Sequence, residues 1–222
     1  MTEAEWLTTD DLEVVLGACR PDLLTRGYIG NIDPITRLLN ATFARRAWMD
    51  ITPSLPFLAA IETIERLTEG EATWNDTQAA VIASANSSEN GRDLPVAVML
   101  FGPLSTADRA ISLAKFYGLS EKDEAQERKH QCTLARCVYG NPFRPVSLDP
   151  SCLLWNDGTV VRIARAIYAD QAFCLMPILA DALEESGCSN TEILNHLRGR
   201  GVHTRGCYAL DMLVDKPRPS MR

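Results

Sequence analysis

Four residues near the C-terminus have side chains able to hold a metal: Cys188, His196, His203 and Cys207. Two thiolates and two imidazoles form a chemically adequate tetrahedral set for zinc. Seven, six and three residues separate successive members, and no Cys-x-x-Cys pair brings two thiolates together locally. The alternative is structural: Cys188 packs beyond a helix end and His196 is a polar residue on its helix. A second constellation is His203, Cys207 and Asp211. On one continuous helix they share a face at i, i+4 and i+8, placing a base, a thiol and a carboxylate side by side. A triad needs the histidine between the thiol and the acid, whereas this order puts the cysteine in the middle. The competing account is a helix start at which Cys207 packs and Asp211 pairs with an arginine.

Arg198, Arg200 and Arg205 flank glycines near a helix start, where guanidinium forks and free backbone N–H groups suit a phosphate or carboxylate. A solvated arginine loop is the plainer account. His130, Cys132 and Cys137 make a further cluster. On a helix His130 and Cys137 share a face and Cys132 does not, so these cysteines read as core residues of a docking helix. No phosphate loop, dinucleotide fingerprint, zincin helix or serine elbow occurs.

These residues need a scaffold, and helical punctuation supplies one. Asp10–Cys19 reads as a short helix with acids in its first turn. Asp33-Pro34 and Thr52-Pro53 open two more, and Gly70 ends the second. Trp74–Ala85 and Ser105–Tyr117 have helical patterns. Leu94–Phe101 is apolar throughout and reads as helix, because no partner strand is apparent. Ser120 opens a charged helix running to Cys137, and Gly140 stops it. The segment to Trp155 is proline-rich and reads as irregular, pinned by Phe143, Leu148 and Trp155. Gly158–Phe173 is amphipathic, Pro177 opens the next helix, and Ser189–Glu192 has capping-box spacing before Ile193, Leu194 and Leu197. Tyr208 to Val214 suggests a last short helix. The fold class is all-α, an array or bundle of eight to ten short and medium helices with no substantial sheet.

The chain has 222 residues, 46% of them apolar and 23% charged, enough to bury a core with neither a metal nor a disulfide needed for folding. Its organisation reads as an N-terminal helical region over 1–139, a C-terminal helical module over 140–215 and a disordered tail over 216–222. The absence of a long linker also permits one continuous domain. The net charge of −7 argues against broad binding to nucleic acid or an anionic membrane. No membrane span and no leader are apparent, and the seven cysteines show no paired spacing, which suits a cytoplasmic protein with reduced thiols.

Several segments resemble a family of uncharacterised bacterial proteins. They are the Met1–Leu7 start (Met-Thr-Glu-Ala-Glu-Trp-Leu), Gly140-Asn-Pro-Phe-Arg-Pro145, Ile178–Cys188 and His203-Thr-Arg-Gly-Cys207. Together they cover about a third of the chain. Ala44–Trp48 looks like a cysteine-poor version of that family's Cys-rich helix. The resemblance implies no activity. The reading is therefore a soluble helical interaction or scaffold protein without catalytic activity, whose partner is another protein. A zinc-binding or small thiol-dependent hydrolytic protein using the Cys/His cluster is the alternative, and an anion-responsive regulatory domain centred on the three arginines is the next.

Overall fold

The computed structural model describes residues 1–20, 34–47, 55–87, 121–199 and 201–216. Among them are ten α-helices, one 3-10 turn and no strand, so the all-α expectation holds. In chain order the helices are α1 (Glu3–Thr8), α2 (Leu12–Cys19), α3 (Pro34–Ala47), α4 (Leu55–Thr68), α5 (Trp74–Ser87), α6 (Glu121–Tyr139), α7 (Pro150–Asp170), α8 (Met176–Glu185), α9 (Thr191–Arg198) and α10 (Tyr208–Leu213). None is long and apolar enough to cross a membrane. The expectations for Leu94–Phe101, Ser105–Tyr117, the Thr52-Pro53 opening, Arg200 and the 217–222 tail lie outside the described residues.

Helix α1 comes from a capping box at the start of the chain. The Thr2 hydroxyl accepts from the Glu5 N–H at 3.3 Å, and the Glu5 carboxylate accepts from the Thr2 N–H at 2.7 Å. Asp11 caps α2 by accepting from the N–H groups of Glu13 and Val14. Both helices dock on α6 through Trp6, which is 1% exposed and donates its indole N–H to the Val15 carbonyl at 3.2 Å. Arg136 of α6 donates to the carbonyls of Trp6 and Thr9, each at 2.6 Å, and its guanidinium lies 5.4 Å from the Trp6 ring centroid. Burying Trp6 contributes about 2–3 kcal/mol by area alone.

Helices α3, α4 and α5 pack in sequence around Phe57, Ile61 and Ile64. Arg45 of α3 donates bidentately to Glu65 of α4 at 2.8 and 3.0 Å. Helix α3 also reaches α6, where the Thr36 and Tyr139 hydroxyls are 2.8 Å apart. The third cluster joins α7, α8, α9 and α10 through Ile167, Leu179, Leu183, Leu197 and Leu210. Cys137 of α6 belongs to this cluster, and α6 packs on α10 as well.

The proline-rich segment departs from the expected irregular chain. Asp149 caps the start of α7 by accepting from Ser151 N–H, and Pro150 occupies a first-turn position where a missing N–H costs little. A break over Trp155–Gly158 divides α7, with Asn156, Asp157 and Gly158 at φ of 48°, 55° and 73°. Asn, Asp and Gly are the residues that tolerate this left-handed region best. Leu148 and Trp155 pack on the C-terminal core as expected, whereas Phe143 lies against Trp6 with ring centroids 6.3 Å apart.

Candidate metal centre

Cys137 sits in the last turn of α6, 3% exposed, and faces the C-terminal core, whereas Leu134 and Val138 of the same helix pack into the N-terminal one. Gly140 stops the helix at φ 76°, and a Cβ there would lie 3.0 Å from Cγ of Tyr208. Only glycine combines that backbone with so close an approach. The start of α10 therefore docks tightly on the end of α6. Asn190 caps α9 by accepting from the N–H groups of Glu192 and Ile193, which sets His196 in the last turn. Asn190, rather than Ser189, is the capping residue.

The chain returns through a tight turn in which Cys207 N–H donates to the Thr204 carbonyl at 3.1 Å, with Gly206 at φ 82°. The Thr204 hydroxyl is 2.8 Å from that of Thr42, which ties the turn to α3. Cys207 becomes the N-cap residue of α10.

These elements bring Cys137, His196, His203 and Cys207 together, with one ligand atom from each lying within 4.8 Å of the others. Nε2 of His196 is 3.2 Å from Sγ of Cys207. Nδ1 of His203 is 3.8 Å from Sγ of Cys137 and 4.0 Å from Sγ of Cys207. The two imidazoles meet edge to face with centroids 5.0 Å apart, and Tyr208 backs His196 at 4.6 Å.

The geometry passes a simple fit test. Zinc bonds of about 2.3 Å to sulfur and about 2.0 Å to nitrogen place tetrahedral ligand atoms roughly 3.3–3.8 Å apart. The three sulfur–nitrogen contacts, 3.2, 3.8 and 4.0 Å, bracket the roughly 3.5 Å that such bonds imply for a sulfur–nitrogen pair. With the four ligand atoms spread over as much as 4.8 Å, the group would contract by up to about 1 Å around the ion.

The electrostatics agree. Burial pushes the Cys207 thiol up, but hydrogen bonds from Cys137, His196 and His203 outweigh it and hold the group well below the ordinary thiol value. Burial lowers His203, and the Cys207 thiol and Gly199 carbonyl overcome it, so the ring binds a proton more readily than usual. Both shifts favour the charged forms, and a divalent cation that binds here would displace the proton the pair shares. Nδ1 is the His203 ring atom that faces the two sulfurs. Other cysteines behave oppositely: burial pushes Cys19 up to about 12, Cys132 up to about 11, and Cys188 upward as well.

Three of the four residues read from the sequence as ligands thus converge, and the fourth is different. Cys188 lies outside the group, just after Gly187 at φ 95°, with its N–H donating to the Leu183 carbonyl at 3.2 Å. Its place is taken by Cys137, a residue whose sequence neighbourhood suggested core packing alone. Cys132 fits that suggestion, since it is fully buried in the N-terminal core. His130 points away and lies 3.0 Å from Gln126.

The helical triad geometry does not form. Residues 203–206 are a turn, α10 starts at Tyr208, and Asp211 lines a cavity on another side of that helix. Arg198 pairs with Asp181 at 2.9 Å and with Glu184 at 2.5 Å. Arg205 approaches Glu65 at 3.7 Å and Glu69 at 3.8 Å. Both described arginines of the expected anion site thus face protein carboxylates.

No protein-family model matches the chain, and no solved structure does. The chain is similar to a thiazole synthase of Chlorobium phaeobacteroides (strain DSM 266 / SMG 266 / 2430), with 30% identity over 122 residues. The match covers 52% of this chain and 46% of that protein, so the chain spans less than half of the relative's length.

Proposed function

We propose that this protein is a zinc-stabilised helical module. Cys137, His196, His203 and Cys207 hold one Zn²⁺ that ties α6 to the α9–α10 hairpin, and the helical surface so fixed serves a protein partner. One observation carries the reading: two thiols and two imidazoles from three separate segments converge inside the fold. A full set of four protein ligands is the pattern of a structural centre, whereas a catalytic zinc keeps a position open. Thiolate ligands also suit a reducing, cytoplasmic compartment.

Thiol-dependent hydrolysis is the competing reading, carried by the depressed Cys207 thiol beside His196 at 3.2 Å. Cys207 has 0% exposure, so no substrate carbonyl reaches its sulfur without opening the core, and Asp211 is not among the residues that converge with it. The likeness to a thiazole synthase names no residue of this centre and covers too little of that protein to bring its activity here.

The test is zinc content per chain after purification without added metal or chelator, with Cys207→Ser alongside. Near-stoichiometric zinc in the parent and its loss in the variant is the expected result. A parent that carries no zinc and takes none up on titration overturns the reading.

A further inference from the structure

A cavity of about 300 Å³ lies beside α10, away from the Cys/His centre. Ile35 and Leu38 of α3 give it an apolar wall, and Glu69, Tyr168, Asp211 and Lys216 give it a charged one. The polar wall has a defined construction. The Tyr168 hydroxyl donates to Oε1 of Glu69 at 2.7 Å, which fixes the carboxylate at the hydroxyl end of the phenol ring. Nζ of Lys216 occupies the space between them, 3.7 Å from the ring centroid and 3.4 Å from Glu69 Oε1. An aromatic face with an adjacent carboxylate is the chemistry that recognises organic ammonium ions.

Lys216 arrives there by a constrained path. Asp215 takes φ 57°, an uncommon backbone for a non-glycine residue, and the Lys216 N–H donates to the Asp211 carbonyl at 2.9 Å. Among the cations around the site, Lys216 lies nearest to both Tyr168 and Glu69. Arg45 is taken up bidentately by Glu65. Arg205 also pairs with Glu65 at 3.7 Å and Glu69 at 3.8 Å, its guanidinium carbon 5.9 Å from the Tyr168 ring centroid, farther from both Glu69 and the ring than Lys216. Among the described residues, Lys216 is the only cation that lines the cavity, alongside the carboxylates of Glu69 and Asp211. Both carboxylates are screened from solvent, the Glu69 side chain at 12% exposure and Asp211 at 3%. Their field also reaches Tyr168, whose hydroxyl is held well above the ordinary phenol range by burial, by Glu69 and by Asp211.

We propose that this cavity binds a small organic ammonium ion with a short apolar body, and that the Lys216 side chain is its built-in competitor. The ammonium head takes the position of Lys216 Nζ against Tyr168 and Glu69, and the apolar body lies along Ile35 and Leu38. None of the residues that line the cavity belongs to the Cys/His group.

The experiment is calorimetric titration of the full-length protein with n-pentylammonium chloride, using n-pentanol and n-pentanoate as neutral and anionic probes of similar size. In Lys216→Ala, pentylammonium is expected to bind at one site per chain and at least tenfold more tightly than in the parent. Pentanol and pentanoate are expected to bind at least tenfold more weakly than the amine. Adding Glu69→Gln to that variant removes at least tenfold of the gain, with circular dichroism to confirm folding. The comparison of probes decides the matter even where Glu69→Gln fails to fold. Equal binding of pentanol, tighter binding of pentanoate, no gain from Lys216→Ala, or no saturable binding of any probe each overturns the proposal.

Discussion

Replacing Cys137 with serine isolates the ligand that comes from outside the C-terminal module. The change removes one sulfur from the group of four and leaves a hydroxyl at a site only 3% exposed. Structural zinc centres bind with about 10–16 kcal/mol at neutral pH, or about 2.5–4 kcal/mol per ligand if shared equally. The expected loss is therefore about 10²–10³-fold in zinc affinity. At fixed free zinc the same energy appears as lost stability, which for a chain of this size is a fall of about 5–15 °C in Tm. The assay is competitive zinc titration against a chromophoric chelator, with thermal unfolding followed by circular dichroism at a clamped zinc concentration. Cys188→Ser is the matched control, because Cys188 is also buried but lies outside the group. It is expected to keep full zinc affinity while losing stability through packing. The argument is refuted if Cys137→Ser retains parental affinity, and doubly so if Cys188→Ser loses it.

Three further outcomes follow from the contacts around the centre. Gly140→Ala forces a Cβ onto a φ of 76° and to 3.0 Å from the Tyr208 ring, so it should cost about 1–2 kcal/mol in chemical denaturation and weaken zinc binding through the His196 backing. Arg45→Met leaves the Glu65 carboxylate, 6% exposed, without its bidentate partner. Because the Arg45 side chain is 37% exposed and Arg205 stands nearby, a loss of about 1–2 kcal/mol is expected in urea unfolding rather than the full cost of a buried charge. Glu3 hydrogen-bonds Asn141 and pairs with Arg144, and these contacts hold its carboxyl below the ordinary 4.5. A depressed folded value means that this support is complete above the unfolded value and fades as pH falls through the folded one. The Tm difference between the parent and Glu3→Gln should therefore be present at neutral pH and vanish on acidification below the ordinary carboxylate range. A difference that persists there contradicts the assignment.

Local chemistry made much of this architecture readable before the structure. Pro34 and Met176-Pro177 sit where helices begin, and Gly70, Gly140 and Gly187 sit at positive φ just past helix ends. These are short-range signals in which one residue type answers one backbone demand. The Thr2–Glu5 capping box was equally local, yet α1 was overlooked because it has too few apolar positions to show a period. Proline density hid the first turn of α7, where Pro150 starts a helix rather than preventing one. The centre was legible only within its own segment. His196, His203 and Cys207 lie close together in the chain, but Cys137 stands 66 positions before His203 and joins them through the packing of α6 on α10. Cys188 is near in sequence and far in function, since the glycine turn at 187 carries it away from the group. No spacing rule encodes a tertiary contact of that kind.

Zinc K-edge X-ray absorption on the purified protein tests the central claim most directly, because it counts ligands by element. The account predicts a four-coordinate ion with two sulfur neighbours at about 2.3 Å and two imidazole nitrogens at about 2.0 Å, with one sulfur lost in Cys137→Ser. A shell of oxygen and nitrogen alone, or a sulfur count unchanged by Cys137→Ser, would contradict it.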